Sequence, residues 1–246
     1  MRIHIADDER EFARLAADLI CDVIARRPNA VLGLPSGKTP LGVYDELARR
    51  VQDSRADFSA VTVFAVDELY GLPPDHAATN AHYFRKHLAD RIPLRACLLM
   101  NSATDDPEAE CARFARRIEK AGGLDLIVLG IGVNGHIAFN EPGSAFDSHA
   151  RRVALDETTR AAYAGLCGSV EGAPTHGLTL GVADLLAARE ALLLVTGANK
   201  ASGVAQAIEA PTTETLPASA LQGHPELAVV LDRAAASKLH SAKPKH

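Results

Sequence analysis

A chain of 246 residues with 47% hydrophobic side chains can bury a substantial core without disulfides, as one large α/β domain or two small ones. A net charge of −5, an aromatic content of 4% and the lack of Trp argue against a nucleic-acid partner, but a few local donors can still hold a small anion. Cys21, Cys97, Cys111 and Cys167 are widely spaced without a CxxC pair and read as small core residues in a reducing compartment. Residues 1–9 lack an apolar signal region and no run approaches membrane-spanning length, so the expectation is a cytoplasmic protein without a membrane partner.

Arg2–Ala6 reads as an edge strand. Asp7 or Asp8 then caps a helix to about Arg27 that turns Phe12, Leu15, Ala16, Leu19 and Val23 inward. Residues 30–34 form a second strand, and Thr39 is expected to cap a helix that starts at Pro40 and reaches about Val51. Between them lie Ser36, Gly37, Lys38 and Thr39. Strand, glycine loop with hydroxyls and helix amino terminus together are a means of holding phosphate; a plain βα turn explains the segment equally well. The Walker spacing is absent.

Residues 61–66 form a third buried strand, ending at Asp67 and Glu68. Carboxylates at the carboxyl end of a parallel strand are placed to act as a base; Asp67 capping a turn is the plainer alternative. His76, His82 and His87 follow at spacings that share no helical face, so no metal site is read there. A strand at 96–100 and a helix from Asp106-Pro107 to about Ala121 lead to Gly122-Gly123.

Residues 124–146 are the centre of the chain. A buried strand at 124–129 runs into Gly130, Gly132 and Gly135, with Asn134, His136, Asn140 and Glu141 close behind. Gly130-x-Gly132-x-x-Gly135, with Asp156 about twenty residues on, matches the dinucleotide fingerprint. That fingerprint needs a long helix from the third glycine, and Pro142-Gly143-Ser144 would stop one within two turns. The nicotinamide reading is set aside. Residues 151–155 read as a further strand, 156–174 as a mobile lid with little periodicity, and 175–181 as a return to the sheet. A buried strand at 190–196, a loop and helix through Lys200, and a last strand at 227–231 complete the pattern, with a disordered tail at 241–246.

Alternating strands and helices imply an α/β fold: one doubly wound, mainly parallel, Rossmann-like sheet with helices on both faces, in a single domain over 1–240. The polar loops after Leu34, Val66, Leu129 and Thr196 would then share one rim. That rim offers an anion cradle (Ser36 to Thr39, with Lys200), a carboxylate base (Asp67) and an acid/base histidine (His136) with Glu141 near it. A phosphate handle beside proton-transfer groups suits a sugar phosphate, and moving protons between adjacent carbons needs no cofactor or metal.

Leu32 to Pro40, Val66 to Tyr70, Gly130 to Gly143, Leu178 to Gly181 and Pro217 to Leu221 carry a nearly end-to-end resemblance to glucosamine-6-phosphate deaminases (isomerases), within the larger family shared with 6-phosphogluconolactonases. The string Gly135-His-Ile-Ala-Phe-Asn-Glu-Pro142 is specific to the deaminase branch. The resemblance implies that Asp67 removes the C2 proton and that His136 with Glu141 assists ring opening. Lys200 and the 36–39 loop would hold the phosphate. Asn134 stands where some deaminases carry Asp, and Asn cannot take a proton, so it orients His136 or binds substrate. The lid lacks the phosphate-reaching Arg of well-known deaminases, and the activator pocket of hexameric members is matched only by Ser144 and Arg151, with Val153 where Lys is expected. A homo-oligomer is compatible with this reading. Alternatives are the galactosamine-6-phosphate isomerase branch, a 6-phosphogluconolactonase, and a sugar-phosphate sensor without chemistry.

Overall fold

A computed structural model describes residues 1–240; the expected tail at 241–246 lies outside the described residues. β1 (Arg2–Ala6) leads into α1 (Glu9–Arg26), whose N-cap Asp8 accepts a hydrogen bond from the Glu11 amide. β2 (Val31–Leu34), α2 (Leu41–Gln52), β3 (Thr62–Ala65) and β4 (Asp67–Tyr70) follow. α3 (Asn80–Phe84) continues into a π-helical turn at Arg85–Ala89, and β5 is Ala96–Leu98. α4 (Pro107–Lys120) starts on the N-cap Asp106 and gives way to Gly122 and Gly123, which leads to β6 (Leu126–Gly130). β7 (Arg151–Ala154), α5 (Glu157–Cys167), β8 (His176–Thr179), α6 (Val182–Leu186) and β9 (Glu190–Val195) come next. A 3-10 turn at Ala198–Lys200 enters α7 (Ala201–Glu209), and a second at Pro217–Gly223 precedes β10 (Leu227–Asp232) and α8 (Arg233–Ala236).

Seven strands form one parallel sheet in the order β1-β10-β9-β6-β2-β3-β5. Successive side chains of a strand point to opposite faces, and here both faces are apolar. In β6, Ile127 and Leu129 pack into one core while Leu126 and Val128 pack into the other. β9 divides the same way, with Leu193 and Val195 on one side and Leu192 and Leu194 on the other. α1 and α2 cover the second core with Phe12, Ile20, Tyr44 and Leu47; α4 and α7 cover the first with Phe114 and Val204. The chain winds outward from β2 to β3 and β5, then returns to lay β6 on the other side of β2. Ligands of such sheets bind at the carboxyl ends where winding reverses, and the loops after Leu34 and Gly130 flank that point.

Three strands depart from the expected single sheet. β4, β8 and β7 form a separate antiparallel sheet, in which Asp67 pairs with Thr179 and Tyr70 with His176. Val66 is the junction: its amide still bonds the Leu34 carbonyl, while its own carbonyl accepts from Leu180. The 151–155 and 175–181 segments therefore join this small sheet instead of the main one. The 156–174 segment, expected as an aperiodic lid, holds the helix α5, capped by Asp156 through the Thr158 amide. Thr39 does not cap α2. Pro40 occupies the cap position without a side-chain bond, and the Thr39 hydroxyl lies 3.2 Å from that of Thr196. No helix follows Gly135, in keeping with the rejected dinucleotide fingerprint. Among the described residues, no helix is long and apolar enough to cross a membrane. The four cysteines are free, and Cys111 is buried.

Candidate active site

The 36–39 loop is aimed by two tyrosines from outside it. The Tyr44 hydroxyl donates to the Pro35 carbonyl at 2.7 Å, and the Tyr83 hydroxyl donates to the Gly37 carbonyl at 2.7 Å. In a trans peptide the N–H points opposite to the C=O. The Ser36 amide therefore points away from the Tyr44 hydroxyl, and the Lys38 amide away from that of Tyr83. Among the described residues, none of the four amides from Ser36 to Thr39 has a protein acceptor. Gly37 supplies the φ of 110° that the turn requires. Free, successive amides at a strand–helix junction are an arrangement able to hold an anion. The Lys38 side chain is exposed, so what Lys38 presents to this turn is its main-chain amide. The Thr39–Thr196 contact ties the turn to the loop after β9, where Lys200 ends a 3-10 turn. Burial lowers the Lys200 pKa, and the charge of Asp232 pulls it partly back.

Asp67 begins β4 with only 7% of its surface exposed. The Asn80 side-chain amide donates to Asp67 Oδ1 at 2.7 Å and to the Asp67 carbonyl at 2.6 Å. Burial pushes the carboxyl up to about 6, against the Asn80 hydrogen bond and the His136 charge, which both favour the ionised form. Glu68 points the other way in the strand and is fully buried. It accepts from the amides of Leu69, Asn80 and Ala81. Burial still raises it, to about 8.

His136 depends on Gly132. A Cβ at position 132 would lie 2.3 Å from the His136 ring, so only glycine lets the imidazole fold back over this turn. Nδ1 of the ring lies 3.4 Å from Glu141 Oε2 and 3.1 Å from the Thr159 hydroxyl. Asn134 donates to Glu141 Oε2 at 2.8 Å and accepts from the His136 amide at 3.2 Å. It thus orients the carboxylate and the backbone; the ring is held by Glu141 and Thr159. Burial raises the Glu141 carboxyl, but the bonds from His136, Thr159 and Asn134 outweigh it and leave the pKa lowered. Asn140 is fully buried and anchors the segment to the Ile137 and Leu180 carbonyls. Arg151 bonds Asn140 and Ser144, which brings the two residues of the expected activator pocket together.

α5 closes over these groups. The Asp156 amide donates to Glu141 at 3.3 Å, Thr159 meets His136, and burial with the charge of Asp67 raises the Tyr163 hydroxyl pKa while the nearby Ser36 side chain acts against them. The Tyr163 ring packs edge-on to Phe139 with centroids 6.2 Å apart. Positions 159 and 163 are one helical turn apart, so one face of α5 spans the histidine and the cradle. The expected site residues thus fall into three connected groups: the cradle with Thr196 and Tyr163, Asp67 with Asn80, and His136 with Glu141 and Asn134. Asn80, Thr159, Tyr163 and Tyr83 were missed in the sequence. Asn80 follows the helix-capping Thr79, a cue to a helix start beside Asp67, whereas Thr159 and Tyr163 required the unforeseen helix. His76 and His87 serve locally: His76 accepts from the Ala78 amide, and the His87 ring lies against Tyr83.

A family model for glucosamine-6-phosphate isomerases/6-phosphogluconolactonase matches residues 7–229. The chain belongs to that family. Among its relatives, the glucosamine-6-phosphate deaminase of Bacillus pumilus is 41% identical across 96% of this chain and 99% of its own. That of Arthrobacter sp. strain FB24 is 42% identical across 98% and 94%. The solved structure of a monomeric glucosamine-6-phosphate deaminase superposes with a TM-score of 0.93 at 37% identity, covering 96% of this chain and 99% of the other. A 6-phosphogluconolactonase from Trypanosoma cruzi superposes with a TM-score of 0.78 at 20% identity, covering 97% of each chain, a likeness of fold alone.

Proposed function

We propose that this protein is a glucosamine-6-phosphate deaminase, which converts glucosamine 6-phosphate and water to fructose 6-phosphate and ammonia. The observation that carries the reading is that two acid/base centres, Asp67 and the His136–Glu141 pair, lie near enough for His136 to act on the Asp67 carboxyl. Opening a ring and then moving a proton between carbons needs two such centres; hydrolysing a lactone needs one.

The amides of residues 36–39 and Lys200 hold the phosphate. His136, oriented by Glu141, carries the O1 hydroxyl proton to the ring oxygen and opens the ring. Asp67 takes the C2 proton from the open aldehyde and returns it at C1. In the same rearrangement a proton passes from the amino nitrogen to O1; water then adds at C2 of the resulting ketimine and ammonia leaves, which balances the reaction. Asn134 holds Glu141 in place throughout.

The same reading takes residues 1–240 as one functional domain in the cytoplasm, in line with four free thiols. The test is incubation of the pure protein with glucosamine 6-phosphate, with ammonia and fructose 6-phosphate measured together. Galactosamine 6-phosphate and 6-phosphogluconolactone run beside it. Release of both products from the gluco substrate supports the proposal; turnover of the lactone alone would replace it.

A further inference from the structure

We propose that Asn80 is the positioning residue of the C2 base: its side-chain amide, locked at the start of α3 by the buried Glu68, holds the Asp67 carboxylate in its ionised, substrate-facing arrangement. This rests on Asp67 being the base. The mechanism makes no use of Glu68, yet a fully buried carboxyl group needs a reason to be there. Its bonds supply one. Glu68 Oε1 accepts from the Asn80 amide at 2.8 Å and Oε2 from the Ala81 amide at 3.1 Å, so it anchors the first two amides of α3, which no helical carbonyl can satisfy. With its main chain fixed there, Asn80, 1% exposed, donates from its side-chain nitrogen to both the Asp67 carbonyl and Asp67 Oδ1.

Adjacent strand residues point to opposite faces, so Asp67 and Glu68 cannot meet directly. Asn80 links them: Glu68 holds its backbone, and its side chain holds Asp67. The Asp67 Oδ1 bond leaves Oδ2 for the substrate carbon. Besides Asn80, His136 from the central loop acts on Asp67, and the Asp67 charge in turn reaches Glu68 on its own strand, Tyr163 on α5 and Tyr44 on α2. Of these, His136 favours the ionised carboxylate, while the Asp67 charge adds to the burial that raises the Glu68 carboxyl, which stays protonated where Asp67 titrates. Among the described residues, Asn80 is the one neutral donor bonded to the carboxylate.

The experiment is the pH profile of kcat/KM for the parent, Asn80→Ala and Asn80→Asp. Loss of a donor to the ionised form moves its titration upward, so the acid limb should rise by about one pH unit in Asn80→Ala. It should rise further in Asn80→Asp, which sets a second carboxylate against the first. Asn80→Asp is isosteric and keeps the main-chain bond to Glu68, so it serves if the alanine variant fails to fold. A purely structural Asn80 would lower thermal stability and leave the acid limb where it was; that result overturns the proposal. Asp67→Asn, run in parallel, separates the two readings. If it keeps parental activity, the assignment of the base has failed; if it is inactive while the acid limb of the Asn80 variants stays fixed, the positioning role has failed.

Discussion

His136 Nδ1 lies 3.4 Å from Glu141 Oε2, and an acceptor at that nitrogen favours the tautomer that leaves Nε2 free to take a proton from the sugar. Ring opening then depends on His136, whereas the later carbon chemistry does not. Acid–base assistance contributes roughly 10² to 10⁴ in rate, so His136→Gln should lose about that much on glucosamine 6-phosphate. It should lose far less on the 5-deoxy analogue, which cannot close the pyranose. Equal losses on both substrates, measured by ammonia release, would remove His136 from ring opening.

Asp67→Asn keeps the shape of the base and its place opposite Asn80, but cannot take a proton. Turnover should fall by about 10² to 10⁴ with little change in binding. Hydrogen exchange at C2 in deuterated water, followed by NMR, isolates the step. Exchange at the parental rate would exclude Asp67, and the proton would need another acceptor.

Lys200→Ala removes the cation from the proposed phosphate end of the site. A charge-assisted hydrogen bond is worth about 1.5–3 kcal/mol, so KM should rise roughly 10- to 150-fold with kcat much less affected. Inorganic phosphate should weaken as a competitive inhibitor by a similar factor. A variant that bound both as the parent does would take Lys200 out of the site.

Tyr83→Phe tests the aiming of the 36–39 amides, since it removes the one hydroxyl held at the Gly37 carbonyl and leaves the ring against Tyr44 and Phe84. A neutral hydrogen bond contributes about 0.5–1.5 kcal/mol, so a KM increase of about two- to tenfold is expected. kcat should hold within about twofold, because the proton-transfer groups do not touch Tyr83. A fall in kcat at unchanged KM, from steady-state kinetics, would contradict their hold on the phosphate.

The main sheet was legible because β2, β6, β9 and β10 are buried on both faces and read as unbroken apolar runs. The small sheet was not: β7 and β8 read as strands, but Arg151, Arg152 and His176 do not say which sheet they join, and β4, which begins with two carboxylates, did not read as a strand at all. α5 was hidden for another reason. Its inward face is made of Thr159 and Tyr163 instead of large aliphatics, because it covers a polar site and not a core. The site residues quoted from strand ends were thus readable one by one. Their partners Asn80, Thr159 and Tyr163 become visible only once the helices that carry them are placed.

Glu68 sets the last prediction, a dependence of stability on pH. Its folded-state carboxyl, pushed up by burial to about 8, binds a proton more tightly than in the unfolded chain, where the ordinary value is 4.5. Between those values the folded state holds more protons, so stability must fall as pH rises through that window and level off above it. Asp67 contributes the same sign, but only up to about 6. From pH 6.5 to 8.5 the Glu68 contribution therefore stands nearly apart from that of Asp67. Glu68→Gln removes the titrating group and keeps an oxygen for the Asn80 amide. Urea unfolding of both proteins across this range should show the parent losing stability relative to the variant as pH rises. A constant difference would mean that the three amide donors of Leu69, Asn80 and Ala81 already hold Glu68 ionised at pH 6.5.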